Sequence, residues 1–192
     1  MKDKVLYYTV IVLSIFGLIM IYSSSYIWAD FKFNNPFKYV INQGVFIVVG
    51  IILMNILSKI DYKIYKEKSN LILLFSFILL VLVLIPGIGV VRNGSRSWFG
   101  IGSFGIQPSE ISKIALVIFV SKYLSKNEKD KRSVKKYVLP ILGVIIIFFG
   151  LIMLEPDFGT GMIIVCSLIG LIFITGADLS IFLKLGIFFL TL

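Results

Sequence analysis

Long apolar runs, broken by short polar segments, dominate the chain. They cover Val5–Tyr22, Tyr39–Leu57, Leu71–Ile85, Pro108 to about Leu124, Tyr137–Leu154 and Phe158–Thr175. A seventh, capped by Asp178-Leu179-Ser180, reaches Leu192. An α-helix rises about 1.5 Å per residue, so about 20 apolar residues cross the roughly 30 Å hydrocarbon layer of a bilayer. The pattern predicts an all-α, polytopic integral membrane protein: a single transmembrane domain over residues 1–192, with six complete transmembrane helices and a partial seventh. The first run has no small-residue cleavage site behind a short core, so it reads as a span rather than a removed signal peptide. Between the runs, Ser23–Tyr39 reads as a loop with interfacial aromatics (Tyr26, Trp28, Phe31, Phe33), and Ser58–Asn70 as a basic loop.

Composition agrees. Hydrophobic residues make up 58% of the 192 and charged residues only 15%, with mean hydropathy +1.01. No soluble domain buries that many apolar runs. A net charge of +9 raises nucleic acid as a partner, but the basic residues sit in short connections and follow the positive-inside rule. With the N-terminus cytoplasmic, the inner segments hold 14 Lys and Arg and the outer segments 4 (Lys32, Lys38, Arg92, Arg96), Lys113 lying inside a span. That count excludes nucleic acid and places the 89–106 loop and the Glu155-Pro156-Asp157 turn outside the cytoplasm. The lysine-rich connections suit anionic membrane lipid as well as topology. The lone Cys166 gives no disulfide or metal framework, and histidine is absent, so acid–base chemistry falls to carboxylates, lysine or water.

One segment departs from the apolar pattern: RNGSRSWFGIGSFGIQPSEISK, Arg92 to Lys113. Pro108 suits the first position of a helix, and Glu110 then falls in the first turn, where the helix dipole favours a carboxylate. Lys113, one turn on, either neutralises Glu110 or joins Gln107 and Glu110 along a polar cavity. A lysine inside a span costs about 2.5–3.5 kcal/mol and usually faces a cavity or a partner. Arg92 and Arg96 suit an anion such as pyrophosphate, or they snorkel to the interface with Trp98 as anchor. In Glu155-Pro156-Asp157-Phe158-Gly159-Thr160 two carboxylates precede a helix, as a metal or acid–base pair or with Asp157 as a first-turn acid.

The motifs NGSRSW, GIQPSEISK and EPDFGTG, with the opening GLIMIYSSSYIWAD, resemble the SEDS family (shape, elongation, division and sporulation) of RodA, FtsW and SpoVE, nearest the SpoVE/FtsW branch. The resemblance implies a ten-helix glycosyltransferase of the bacterial plasma membrane. It would polymerise the extracytoplasmic disaccharide–peptide of lipid II into peptidoglycan for division, shape or sporulation. A class B penicillin-binding protein would be its partner. By position, Glu110 and Lys113 match the family's buried polar pair, supporting catalysis, while Arg92, Arg96, Trp98, Gln107 and Ser109 match its substrate-binding loop and helix start. Pro108, Glu155, Asp157, Gly159 and Thr160 match structural motif positions. Mg or Mn would assist at the pyrophosphate. The resemblance also implies a chain about twice this length, whose essential aspartate lies beyond Leu192. The 192 residues are therefore expected to be an N-terminal portion, inactive alone. A flippase for the lipid-linked precursor and a non-catalytic scaffold are the alternatives.

Overall fold

The computed structural model describes residues 3–92, 94–101, 104–131 and 133–176. Among them the order is α1 (Lys4–Phe33), α2 (Lys38–Leu57), α3 (Tyr62–Leu84), β1 (Val90–Arg92), β2 (Ser95–Ile101), β3 (Phe104–Ile106), α4 (Pro108–Lys126), α5 (Leu139–Leu154) and α6 (Phe158–Ile174). They form two compact units, one up to Tyr62 and one from Lys63. The seventh run, with Asp178 and Lys184, lies outside the described residues.

The first unit is a helical hairpin. The Asp3 carboxylate caps α1 by accepting from the amides of Val5 (3.0 Å) and Leu6 (3.2 Å). The expected loop from Ser23 is instead helix as far as Phe33. No glycine or proline interrupts that stretch, and the Ser25 hydroxyl donates back to the Ile21 carbonyl at 2.6 Å, so the helix runs on to the breakers Asn34-Asn35-Pro36. Asn34 ends it in the left-handed region, φ 51°. Tyr22 then stacks on Phe37 (5.3 Å between ring centroids), while at the far end the Asn55 amide donates to the Tyr7 hydroxyl at 3.3 Å. Ala29 is the one buried residue in the described part of α1 and α2. The remaining Leu, Ile, Val and Phe faces are outward, as lipid-facing surface must be.

The second unit has the core. Ile141, Ile145, Phe148 and Ile152 of α5 recur at helical spacing, as do Leu116, Val120 and Leu124 of α4 and Ile164, Leu168 and Ile172 of α6; with Leu80 of α3 they form one buried cluster. α6 approaches α5 closely at Gly161, where a Cβ would stand 2.9 Å from the Met153 methyl and 3.0 Å from the Phe149 ring. Both neighbours are side chains that can give, so Gly161→Ala is expected to cost about 1 kcal/mol, read as a lower thermal midpoint in detergent. At one end Tyr123 donates to the Lys136 carbonyl (2.9 Å) and Lys122 to Asn70 (3.4 Å). This end carries the lysine-rich connection, where a π turn over Val134–Val138 leads into α5.

Two further sequence expectations are revised. The protein is not purely α-helical, because residues 90–106 form an antiparallel three-stranded meander in the order β1-β2-β3. α3 begins at Tyr62, so Lys63, Lys66 and Lys68 ride on its first turns rather than in a loop; lysine and glutamate are good helix formers and nothing there breaks the helix. Among the described residues four stretches are long and apolar enough to cross a bilayer: Lys4–Phe33, Lys38–Leu57, Tyr62–Leu84 and Val134–Leu154. α6, at 17 residues, is shorter, and α4 carries Glu110, Lys113, Lys122 and Lys126. The protein is membrane-embedded and polytopic.

Candidate active site

The polar motifs meet at the end of the second unit opposite the lysines. β1 pairs with β2 through Val90↔Trp98, Val91↔Arg96 and Arg92↔Ser95, with a bulge between Val90 and Val91. Strand alternation turns Ser95 and Ser97 one way and Arg96 and Trp98 the other. The Arg92 guanidinium lies 5.1 Å from the Trp98 ring centroid, a cation–π distance. Its other side rests on Gly105, where a Cβ would come within 2.8 Å of Nη1. Arg96 is half-buried: Nη1 donates to the Leu84 carbonyl at 3.5 Å, and Nε is buried without a partner. Gly89 makes room for it, since a Cβ there would collide with the Val83 carbonyl and stand 2.9 Å from the Arg96 stem. The two arginines are thus set in packed positions rather than in a free loop.

Gln107 precedes α4 with extended backbone and makes no side-chain cap, because its amide donates elsewhere, to Asp157 Oδ2 at 2.6 Å. Pro108 is buried at the start of the helix and Ser109 beside it, its hydroxyl without a partner. Glu110 and Lys113 form an ion pair of 2.7 Å on the opposite face, with Glu110 55% exposed and Lys113 27%. Glu110 thus lies on an exposed face of α4.

The α5–α6 turn closes the site. Asp157 caps α6, Oδ1 accepting from the Thr160 amide at 3.1 Å, as the capping reading of its motif expects. Gly159 lies under that carboxylate and Thr160 is buried. Glu155 is fully buried, with neither carboxyl oxygen hydrogen-bonded. Burial, with the Asp157 charge adding to it, pushes its carboxyl from the ordinary 4.5 up to about 8. The Ser95 hydroxyl donates to the Glu155 main-chain carbonyl and lies 2.9 Å from Ser97 Oγ, which ties β2 to the turn. Ser95, Ser97 and Gly105 were not singled out by sequence reasoning. Only strand alternation, invisible until the segment is known to be a sheet, marks them.

Among the described residues no three His, Cys, Asp or Glu side chains converge as metal ligands. Each Asp157 oxygen accepts one N–H donor and the buried Glu155 carboxyl is held neutral, so this turn offers a cation one carboxylate rather than an acidic pair.

A family model described as cell cycle protein, FtsW/RodA/SpoVE, matches residues 3–192. The chain belongs to the FtsW/RodA/SpoVE family. It is 43% identical to stage V sporulation protein E of Bacillus subtilis, over 96% of this chain and 50% of the relative. It is 35% identical to the probable peptidoglycan glycosyltransferase FtsW of Saccharophagus degradans, over 96% of this chain and 48% of that protein. The fold matches a chain of a solved peptidoglycan synthase complex that coordinates polymerization and crosslinking, with TM-score 0.71 and 26% identity over 93% of this chain and 51% of that one. This chain therefore spans about half the length of the curated relatives it matches.

Proposed function

We propose that this chain forms part of a membrane glycosyltransferase that polymerises lipid II into peptidoglycan glycan strands on the outer face of the plasma membrane. The N-terminus and the lysine-rich end face the cytoplasm, and the β1–β2–β3 sheet, the α4 start and the α5–α6 turn face outward. One observation carries the reading: Arg92, Arg96 and Trp98, the Gln107–Pro108 helix start and the Glu155–Thr160 turn are gathered at a single end, opposite the lysines. Arginine forks suit the oxygens of a pyrophosphate leaving group, and fixed positive charge at that place stabilises the charge that develops as the glycosidic bond forms. A carboxylate general base for the acceptor hydroxyl comes from an aspartate elsewhere in a longer polypeptide. Lys113, paired with Glu110, positions or tunes that base by its charge. A divalent cation, Mg or Mn, would assist at the pyrophosphate. A class B penicillin-binding protein is the partner that crosslinks the product.

Turnover in detergent tests this. The native polypeptide with its partner, given labelled lipid II, is expected to yield a ladder of lengthened glycan. Movement of lipid II across vesicles with no lengthening in detergent marks a flippase instead, and neither result leaves a scaffold.

A further inference from the structure

We propose that Glu155 is a positioning residue that acts as a neutral carboxylic acid: protonated, it keeps β2 seated on the α5–α6 turn, and deprotonated it unseats the strand. Its side chain is fully buried and both oxygens lack a hydrogen-bond partner. Its own main-chain carbonyl is the anchor for the Ser95 hydroxyl, and Ser97, on the same strand face, is 2% exposed. The seat of the strand and the buried acid are therefore the same residue.

The surrounding charges do not favour ionisation. α5 contributes no titratable side chain, the turn contributes Asp157, of like sign, and α6 the exposed Cys166. Arg96 of β2 is turned to the Leu84 carbonyl, Arg92 of β1 to Trp98, and Glu110 and Lys113 of α4 to each other. Among the described residues no ion pair or hydrogen bond reaches the Glu155 carboxyl. A buried carboxylate with no partner is strongly disfavoured; because β2 is anchored on this residue's own carbonyl, lifting of the strand is the opening through which an ionised carboxylate would gain water.

The sign follows from linkage. Seated, the group holds its proton up to about 8; unseated, it reverts to the ordinary 4.5. The seated state is fully favoured below the lower value. Its advantage falls by up to about tenfold per pH unit between the two and levels off above the upper one.

Hydrogen exchange of residues 90–101 in the full native polypeptide, corrected for intrinsic base catalysis, reads this equilibrium without reference to catalysis. The wild-type opening constant is expected to rise between pH 6 and 8 by up to about tenfold per unit and then flatten. Glu155→Gln, isosteric and without a proton to lose, is expected to be flat. Ser95→Ala is expected to open more at every pH while keeping the slope. A wild-type profile without slope, or a Glu155→Gln profile that follows wild type, overturns the proposal. Its catalytic consequence, polymerisation failing at alkaline pH in wild type and persisting in Glu155→Gln, rests on the proposed function. If the exchange switch appears without any glycan ladder, that function fails and the switch stands.

Discussion

Replacing Lys113 by alanine is expected to lower glycan polymerisation by about 100-fold or more while the protein still accumulates in the membrane. The two halves of this expectation have separate causes. The Lys113–Glu110 pair is short, 2.7 Å, but Glu110 is 55% exposed, and pairs of that kind contribute about 0–1 kcal/mol to stability. Glu110 keeps its favourable place in the first turn of α4 without the lysine, so the fold survives. An ammonium held inside an apolar helix is nevertheless costly, and a charge that tunes the general base acts on a contribution of about 10²–10⁴ in rate. Membrane immunoblots and the glycan ladder, run together, decide the matter. Disappearance of the protein points to a structural lysine, and unchanged activity removes Lys113 from the site.

Asp157→Ala is expected to be the most damaging single change to stability among the motif residues. It removes the cap on the Thr160 amide and the 2.6 Å bond from Gln107. A lost cap costs about 1 kcal/mol, and a hydrogen bond to a charged group about 1.5–3 kcal/mol, giving a total of about 3 kcal/mol. The bond from Gln107 also links the start of α4 to the start of α6, so its loss frees the two helix ends from each other. Asp157→Asn retains an acceptor for the Thr160 amide but turns an amide toward the Gln107 amide, and is expected to recover about half the loss. Thermal midpoints of the two variants in detergent check the order. Equal stability of wild type and Asp157→Ala contradicts it.

Much of this was legible in the sequence, for reasons that can be named. Helical apolar runs announce themselves because a bilayer forces backbone polar groups to pair within the segment, and every run within the described residues is a helix. Asp157 was readable as a cap because its position before Phe158-Gly159-Thr160 is a local signal. The β1–β2–β3 sheet was not readable. Ser95–Ile101 is short, glycine-bearing and polar, and its pairing with Val90–Arg92 depends on a bulge that no periodicity announces. Helix ends were misjudged where hydropathy stopped before helix propensity did, at Ser23–Phe33 and again at Tyr62–Asn70. Glu155 is buried with unpartnered oxygens, and the bond that Ser95 makes to its main-chain carbonyl joins residues distant in sequence. No one-dimensional pattern carries it.

The central claim is that the β1–β2–β3 sheet, the α4 start and the α5–α6 turn receive a pyrophosphate-linked sugar substrate. A photoreactive side chain at Val91, exposed beside Arg96 on the paired strand, tests it most directly when placed in the native polypeptide. Illumination with labelled lipid II is expected to give an adduct at position 91 and none at the control position Leu57. Equal labelling at both positions, or none at 91 in a preparation that still polymerises glycan, would place the substrate elsewhere and contradict the account.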